Sequence, residues 1–79
     1  MSQKTWHIRE LLKVSTDYLQ KKGIEDPRLN AEVLLAHLLD MDRVGLYLNF
    51  DQPLTEPELA SYRTLIKRRI SREPLQYIT

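Results

Sequence analysis

Apolar residues recur along most of the chain at spacings of three and four positions, the periodicity of amphipathic helices. The first such stretch predicts a helix that is capped by Thr5 and runs to Lys22, with Gly23 as its stop. Its apolar residues should form one buried stripe that consists of Trp6, Ile8, Leu11, Leu12, Tyr18 and Leu19.

A second helix should begin with Asp26 as its cap and Pro27 at its first position. Residues 29–39 are apolar around most of the helix circumference, which is typical of a helix in the middle of a bundle. We therefore expect this helix to form the core. Glu32 interrupts the apolar run, and we expect it to face an edge, where Arg28 one turn earlier can pair with it.

Two further helices complete the predicted bundle. A short third helix should span about residues 42–48, and the capping-box pattern of Thr55 and Glu58 should start a fourth that runs to about Ser71. The pattern therefore predicts an all-α fold, a small irregular bundle of four to five helices with short connections. Its core should contain Leu34, Leu35 and Leu38 packed against Leu11, Leu12, Tyr62 and Ile66.

The end of the chain should leave the bundle. Pro74 disfavours helix at Glu73, so the fourth helix should give way to other structure at about Arg72. Residues 75–79 are rich in strand formers and should form an extended C-terminal tail, with residues 77–79 poorly ordered or loosely placed on the bundle.

We divide the chain into a helical domain at residues 1–72 and the start of an interdomain linker at residues 73–79. A chain of 79 residues with 42% hydrophobic and 29% charged residues has the composition of one globular domain, which we expect to be a monomer. The absence of cysteine excludes disulfides and thiolate metal sites, and it fits a cytoplasmic protein. A net charge of +1 gives no bulk attraction to nucleic acid or anionic lipid, and the longest apolar run is too short to span a membrane.

Few residues have the arrangement that catalysis requires. His7 and His37 lie on different predicted helices, whereas two histidine ligands on one helix need a spacing of three or four. Gly23 and Gly45 are too far apart to form a glycine-rich phosphate loop. A buried Glu32 would have a raised pKa, but the edge position is favoured. We therefore assign no catalytic, cofactor-binding or metal-binding residue to this chain.

The predicted fourth helix carries a basic cluster of five residues near its end. Arg63 lies four positions before Lys67, and Arg68 four before Arg72, which makes two rows on neighbouring faces; Arg69 lies between them. One interpretation is a solvated face whose cations complement the helix C-terminus. The other is a docking surface for an acidic patch or a phosphate, with Arg63, Lys67, Arg68 and Arg72 as candidate partner-binding residues.

Recognition of DNA by a helix-turn-helix is disfavoured. In that motif the first residues of the recognition helix meet the bases, and here Glu56 and Glu58 would repel the phosphates.

The most specific motif is at the end of the chain, where residues 68–78 read Arg-Arg-Ile-Ser-Arg-Glu-Pro-Leu-Gln-Tyr-Ile. This run resembles the segment RR…(G/R)EPLxYI that leads out of the N-terminal domain of the HemK/PrmC family, the protein-(glutamine) methyltransferases of peptide chain release factors. Residues 27–37 resemble the family's xxLDAExLLAH helix, and residues 43–48 its R…LY element. Asn30 replaces the usual aspartate, and Arg72 stands where glycine is common.

A further likeness lies in the loop before the fourth helix. Pro53 and Leu54, together with Glu58, resemble the family's PL…E loop and helix start. The resemblance therefore covers nearly all of the chain, most weakly its first 20 residues.

The resemblance implies an N-terminal domain of an S-adenosylmethionine-dependent enzyme that methylates the glutamine in the Gly-Gly-Gln loop of class 1 release factors. It also implies that the cofactor and the Asn-Pro-Pro-Tyr motif belong to a Rossmann-like domain beyond this fragment. The helical domain would then help to bind and orient the release factor. A single glutamine offers little binding energy, so selecting one glutamine in one protein needs a second contact surface.

Two alternatives remain beside this interpretation. The chain could be a stand-alone helical adaptor for another protein, which a parent reading frame without a methyltransferase domain would favour. It could also be a nucleic-acid-binding module, which salt-dependent binding to ribosomal RNA would favour.

Overall fold

The computed structural model describes residues 5–74 and residue 78. This part of the chain forms four helices: α1 (Ile8–Lys21), α2 (Pro27–Leu39), α3 (Arg43–Leu48) and α4 (Glu56–Ile70). Within these residues the only β-type pairing is an isolated antiparallel bridge between His7 and Pro53. The predicted all-α bundle is therefore confirmed.

Helix α2 is the core of the bundle, as its apolar circumference predicted. It packs against α1, α3 and α4, so that little of its surface is left for water. Leu34 and Leu35 are fully buried, Leu38 is half-buried, and only Leu29 among its leucines is exposed. The predicted partners in the other helices are buried at Leu12, Tyr62 and Ile66 and half-buried at Leu11.

The start of α1 differs from the sequence prediction. The helix is not capped by Thr5, because it begins at Ile8 with His7 as its N-cap. The backbone before the helix is instead paired with the loop that precedes α4: the carbonyl of Trp6 accepts a hydrogen bond of 2.8 Å from the N–H of Leu54. A backbone committed to that pairing cannot also continue the helix.

Helices α1 and α4 run parallel to each other. Their beginnings are joined by the bond between Trp6 and Leu54, and beyond their ends the Arg72 guanidinium donates to the carbonyl of Lys22 at 3.3 Å. Arg72 has a φ of 71°, in the left-handed region that glycine adopts without steric cost. This conformation accounts for glycine in the resembling motif, and here the arginine side chain adds the contact with α1.

The junction between α1 and α2 depends on Asn30. Asp26 occupies the N-cap position, but its side chain makes no capping hydrogen bond, contrary to the prediction. The buried amide of Asn30 instead donates to the carbonyls of Glu25 and Asp26 at 2.9 and 3.0 Å. Its oxygen accepts from Arg69 Nε at 2.7 Å, which ties this junction to α4. An aspartate at this position could not donate to the two carbonyls.

The capping groups predicted for the last helix are confirmed. The hydroxyl of Thr55 accepts from the N–H of Glu58 at 3.3 Å, and the Glu58 carboxylate accepts from the N–H of Thr55 at 2.8 Å. At the start of α3, Asp42 accepts from the N–H of Gly45 at 2.8 Å. These side chains satisfy N–H groups that have no partner within their own helix.

The predicted exit from α4 is confirmed, since the helix ends at Ile70 and neither Glu73 nor Pro74 is helical. Ile78 differs from the expectation of a loose, extended tail, because it is helical and only 6% exposed. Burial in the core removes its apolar side chain from water. The rest of the predicted tail, residues 75–77 and 79, lies outside the described residues.

The central place of α2 can be tested with Leu35→Ala. Removing most of a fully buried leucine should lower the free energy of unfolding by about 2–5 kcal/mol. The matched control is Leu48→Ala, because Leu48 is 78% exposed and its truncation should change that free energy by no more than about 0.5 kcal/mol. Urea unfolding followed by circular dichroism measures both, and equal effects would contradict this description of the core.

Candidate functional site

A groove of about 390 Å³ lies between α1 and α4. Both helices pack on α2, and the groove follows the surface where they face each other. Most of its lining is apolar or aromatic, with two cationic side chains. The lining residues are Trp6, Leu11, Val14, Ser15, Tyr18, Leu59, Tyr62, Arg63, Ile66 and Lys67.

Two of the three hydroxyl groups that line the groove, those of Ser15 and Tyr62, are bonded within the bundle. The Tyr62 hydroxyl lies 3.0 Å from both Ser15 Oγ and the carbonyl of Ala31, and Ser15 Oγ donates to the carbonyl of Leu11 at 2.6 Å. Burial raises the pKa of Tyr62 above its ordinary value, so the hydroxyl remains a protonated donor. These groups join three helices and are unsuited to act as a catalytic base or nucleophile.

Part of the apolar lining is open to solvent. Tyr18, predicted to belong to the buried stripe of α1, is 45% exposed, and Val14 one turn earlier is exposed as well. The ammonium of Lys22 lies 5.6 Å from the centre of the Tyr18 ring, a cation–π distance. The α1 wall therefore presents apolar surface that no other described part of the chain covers.

Two residues of the predicted basic cluster, Arg63 and Lys67, lie one turn apart on the α4 wall. Both are exposed, and among the described residues neither side chain forms a hydrogen bond or an ion pair. Their positive charges are therefore available to a molecule that enters the groove.

The other arginines of the cluster are engaged with the chain itself. Arg68 Nη2 lies 3.0 Å from Glu73 Oε1, and its Nε lies 3.2 Å from both carboxylate oxygens. Hydrogen bonds from Arg68 lower the pKa of Glu73. Arg72 reaches the carbonyl of Lys22, and Arg69 reaches Asn30. The structure thus separates Arg68 and Arg72 from the groove, and their contact with a partner stays a prediction.

Glu32 forms a second cluster that the sequence prediction placed wrongly. Its side chain is fully buried instead of lying at an edge, although the predicted pairing with Arg28 is confirmed at 2.6 Å. The same carboxylate accepts from Arg43 Nε at 2.9 Å and from the Tyr47 hydroxyl at 2.5 Å. One sequence signal was present: Arg43 and Tyr47 are one turn apart on the predicted third helix, so both can donate to the same carboxylate.

The donors around Glu32 keep it ionised. Burial alone would raise the pKa of this carboxyl group, but the hydrogen bonds from Tyr47, Arg28 and Arg43 outweigh burial and hold the pKa below its ordinary value. The bonds come from α2 and α3, so the carboxylate fastens the short α3 to the core helix. A carboxylate surrounded in this way is a structural group and not a proton-transfer group.

No other arrangement in residues 5–74 and 78 suggests a metal or cofactor site. These residues contain no group of three histidine, aspartate or glutamate side chains that could hold a metal ion. Gly23 closes α1 with a φ of 76°, and Gly45 lies inside α3, so the glycines form no phosphate cradle. No helix in this part of the chain has the length and hydrophobicity of a membrane span.

Comparison with known proteins identifies relatives. Residues 10–79 match the family described as the PrmC N-terminal domain. A release factor glutamine methyltransferase of Geobacter sulfurreducens is 55% identical over 73 residues, which cover 92% of this chain and 26% of that protein. A protein of the same name from Chlorobaculum tepidum is 42% identical over 76 residues, 96% of this chain and 26% of that protein.

A bifunctional methyltransferase of Rickettsia conorii is 38% identical over 72 residues, which cover 91% of this chain and 14% of that protein. The chain therefore spans about a quarter of the length of the two release factor glutamine methyltransferases, and a smaller share of the bifunctional methyltransferase. No solved structure matches the chain.

The Glu32 cluster predicts a specific loss of stability in Glu32→Gln. Replacing the charged acceptor should lower the free energy of unfolding at neutral pH by about 1–3 kcal/mol, the range for a weakened buried hydrogen bond. The arginines keep partial contact with water, which limits the loss. The matched control is Glu25→Gln, the same change at an exposed loop residue, which should stay within about 0.5 kcal/mol of wild type.

The pH dependence of this loss follows from the pKa of Glu32, which is lower in the folded chain than its ordinary value of 4.5. The carboxylate's contribution is complete above the pKa of the unfolded chain and is lost as the pH falls through the folded pKa. Urea unfolding across this range should show the difference between wild type and Glu32→Gln shrinking as the solution is acidified. A difference that grows on acidification would contradict the assigned direction of the pKa shift.

Proposed function

Because the chain belongs to the PrmC N-terminal domain family, we propose that it is the helical N-terminal domain of an S-adenosylmethionine-dependent protein-(glutamine) methyltransferase. The substrate of the parent enzyme is the glutamine of the Gly-Gly-Gln loop in class 1 peptide chain release factors. The observation that carries this proposal is the match of residues 10–79 to the PrmC N-terminal domain family, together with relatives named release factor glutamine methyltransferase. The parent protein acts in the cytoplasm, where translation ends.

The role of this domain within the enzyme is to bind and orient the release factor. One glutamine side chain supplies too little binding energy to select one protein among many, so the enzyme needs contacts away from the reacting atom. The groove between α1 and α4 supports this role, since it combines exposed apolar surface with the free cations Arg63 and Lys67.

The described residues do not fit the cofactor. A nucleotide-like cofactor in a Rossmann-type fold is held at a glycine-rich turn between a strand and a helix. Here the glycines serve other positions, Gly23 at the end of α1 and Gly45 within α3. We infer that the cofactor and the transfer step belong to the part of the parent protein that this chain does not span, and we assign none of the residues described here to the chemistry.

The assignment of the cofactor elsewhere predicts that the isolated chain binds no S-adenosylmethionine. Isothermal titration of the chain should give only the heat of dilution, whereas the full-length parent protein should bind the cofactor. Micromolar binding to the isolated chain would overturn this assignment.

The docking role predicts that deleting residues 1–72 from the parent enzyme raises KM for intact release factor. The same deletion should leave the methylation of a short peptide that contains Gly-Gly-Gln unchanged, because a peptide has no second surface to dock. Mass spectrometry of the modified glutamine measures both reactions.

Two outcomes would contradict separate parts of the proposal. If the full-length enzyme fails to methylate release factor, the proposed enzymatic function is wrong. If the deletion leaves KM for intact release factor unchanged, the enzyme does not use this domain for docking.

A further inference from the structure

We propose that the groove between α1 and α4 receives an amphipathic helical segment of the partner, with acidic residues beside its apolar face. Arg63 and Lys67 would pair with those acidic residues, while the apolar lining of the groove takes the apolar side chains. The identification of this partner as the release factor rests on the proposed function above.

The nature of the groove walls favours a helix as the occupant. Both walls are helices, whose backbone N–H and C=O groups are already paired within the helix, so they cannot pair with an incoming strand. An extended segment would thus bury backbone groups without partners. A helical segment satisfies its own backbone and can offer the groove side chains alone.

The length of the groove matches about two helical turns. On α4 its lining extends from Leu59 to Lys67, and on α1 from Leu11 to Tyr18. At a rise of 1.5 Å per residue these stretches are about 12 and about 10 Å long. A helix laid along the groove would place side chains at positions i, i+3 or i+4, and i+7 against the lining, the usual pattern of helix-in-groove recognition.

The chemistry of the lining requires apolar side chains from the occupant. The hydroxyls of Ser15 and Tyr62 are bonded inside the bundle and offer little to a ligand. The other uncharged lining residues are apolar or aromatic, and Val14 and Tyr18 are the most exposed of them: Trp6, Leu11, Val14, Tyr18, Leu59 and Ile66. Away from Tyr18, Arg63 and Lys67, a polar segment would lose its contacts with water there and gain few hydrogen bonds in return.

The charges around the groove select acidic residues beside those apolar side chains. Arg63 and Lys67 are the charged lining residues within the described chain, and both are positive and unpaired. Lys22 adds a third positive charge next to Tyr18 on the opposite wall. Carboxylates on the partner would form ion pairs with these cations, whereas a basic segment would be repelled.

The same charges argue against two other occupants. A second copy of this chain would bring its own Arg63 and Lys67 to the interface, and like charges would then face each other. Nucleic acid would meet a largely apolar lining on a chain whose net charge is only +1. A protein segment that is both apolar and acidic fits all of these features.

The proposal can be tested in the full-length enzyme with two groove variants. Val14→Asp places a carboxylate on the exposed α1 wall, and the double variant Arg63→Glu, Lys67→Glu reverses the charge of the α4 wall. Each should raise KM for intact release factor by about tenfold or more, through lost burial and like-charge repulsion. The reaction with a short Gly-Gly-Gln peptide and the affinity for S-adenosylmethionine should stay at wild-type values.

Matched controls separate the groove from general effects of charge. Lys13→Glu reverses a charge on α1 outside the groove, and Leu48→Asp adds a carboxylate at an exposed apolar residue of α3. Both should keep the wild-type KM. Groove variants that also keep it would overturn this inference while leaving the proposed function intact, whereas a wild-type enzyme that does not methylate release factor would overturn the proposed function itself.

Photo-crosslinking identifies the occupant directly. The full-length enzyme would carry p-benzoylphenylalanine in place of Tyr18, an aromatic replacement at an exposed lining position. We expect a crosslink to release factor that mass spectrometry maps to a helical segment with acidic residues. A crosslink to a basic or extended segment, to another part of the same enzyme molecule, to a second copy or to ribosomal RNA would overturn the inference, as would the absence of any crosslink to release factor.

Discussion

The structure depends on one constraint: α2 is apolar around most of its circumference and must be covered from several directions at once. In a chain of 79 residues all three of the remaining described helices, α1, α3 and α4, are needed to cover it, and each of them packs on α2. Glu32 lies on the covered part of this helix, where its carboxylate is fully buried. The buried charge is tolerated because Arg28, Arg43 and Tyr47 donate hydrogen bonds to it. The bonds from Arg43 and Tyr47 also hold the short α3 against the core.

The same constraint creates the groove. Helices α1 and α4 both cover α2 and run parallel to each other. A hydrogen bond between Leu54 and Trp6 joins them at one end, and a hydrogen bond between Arg72 and Lys22 joins them at the other. The surfaces that they turn to one another are only partly filled, since Val14 and Tyr18 of the groove lining remain exposed. The candidate surface is therefore a consequence of how the core is covered.

The sequence predicted some of the structural features that neighbouring residues determine, although the expected capping bond of Asp26 is not formed. The fourth helix began where Thr55 and Glu58 indicated, because both capping partners lie within four positions of each other. Contacts between distant residues could not be read in this way. The pairing of Trp6 with Leu54 moved the start of α1, and the bond from Arg69 to Asn30 turned a member of the apparent basic cluster into a structural residue. Only the packed fold shows which cations lack an internal partner.

The exposed apolar surface in the groove lowers the stability that the fold could reach, and this favours a binding role for the surface over no role at all. A domain of this size buries a smaller fraction of its surface than a larger one and has limited stability to spare, so Val14 and Tyr18 left in water forgo stabilisation that a filled groove would provide. Contiguous apolar surface with charged groups at its border is typical of sites that meet a partner. The positive border suits this role, because like charges would oppose the pairing of two copies through this surface and would attract a partner of opposite charge.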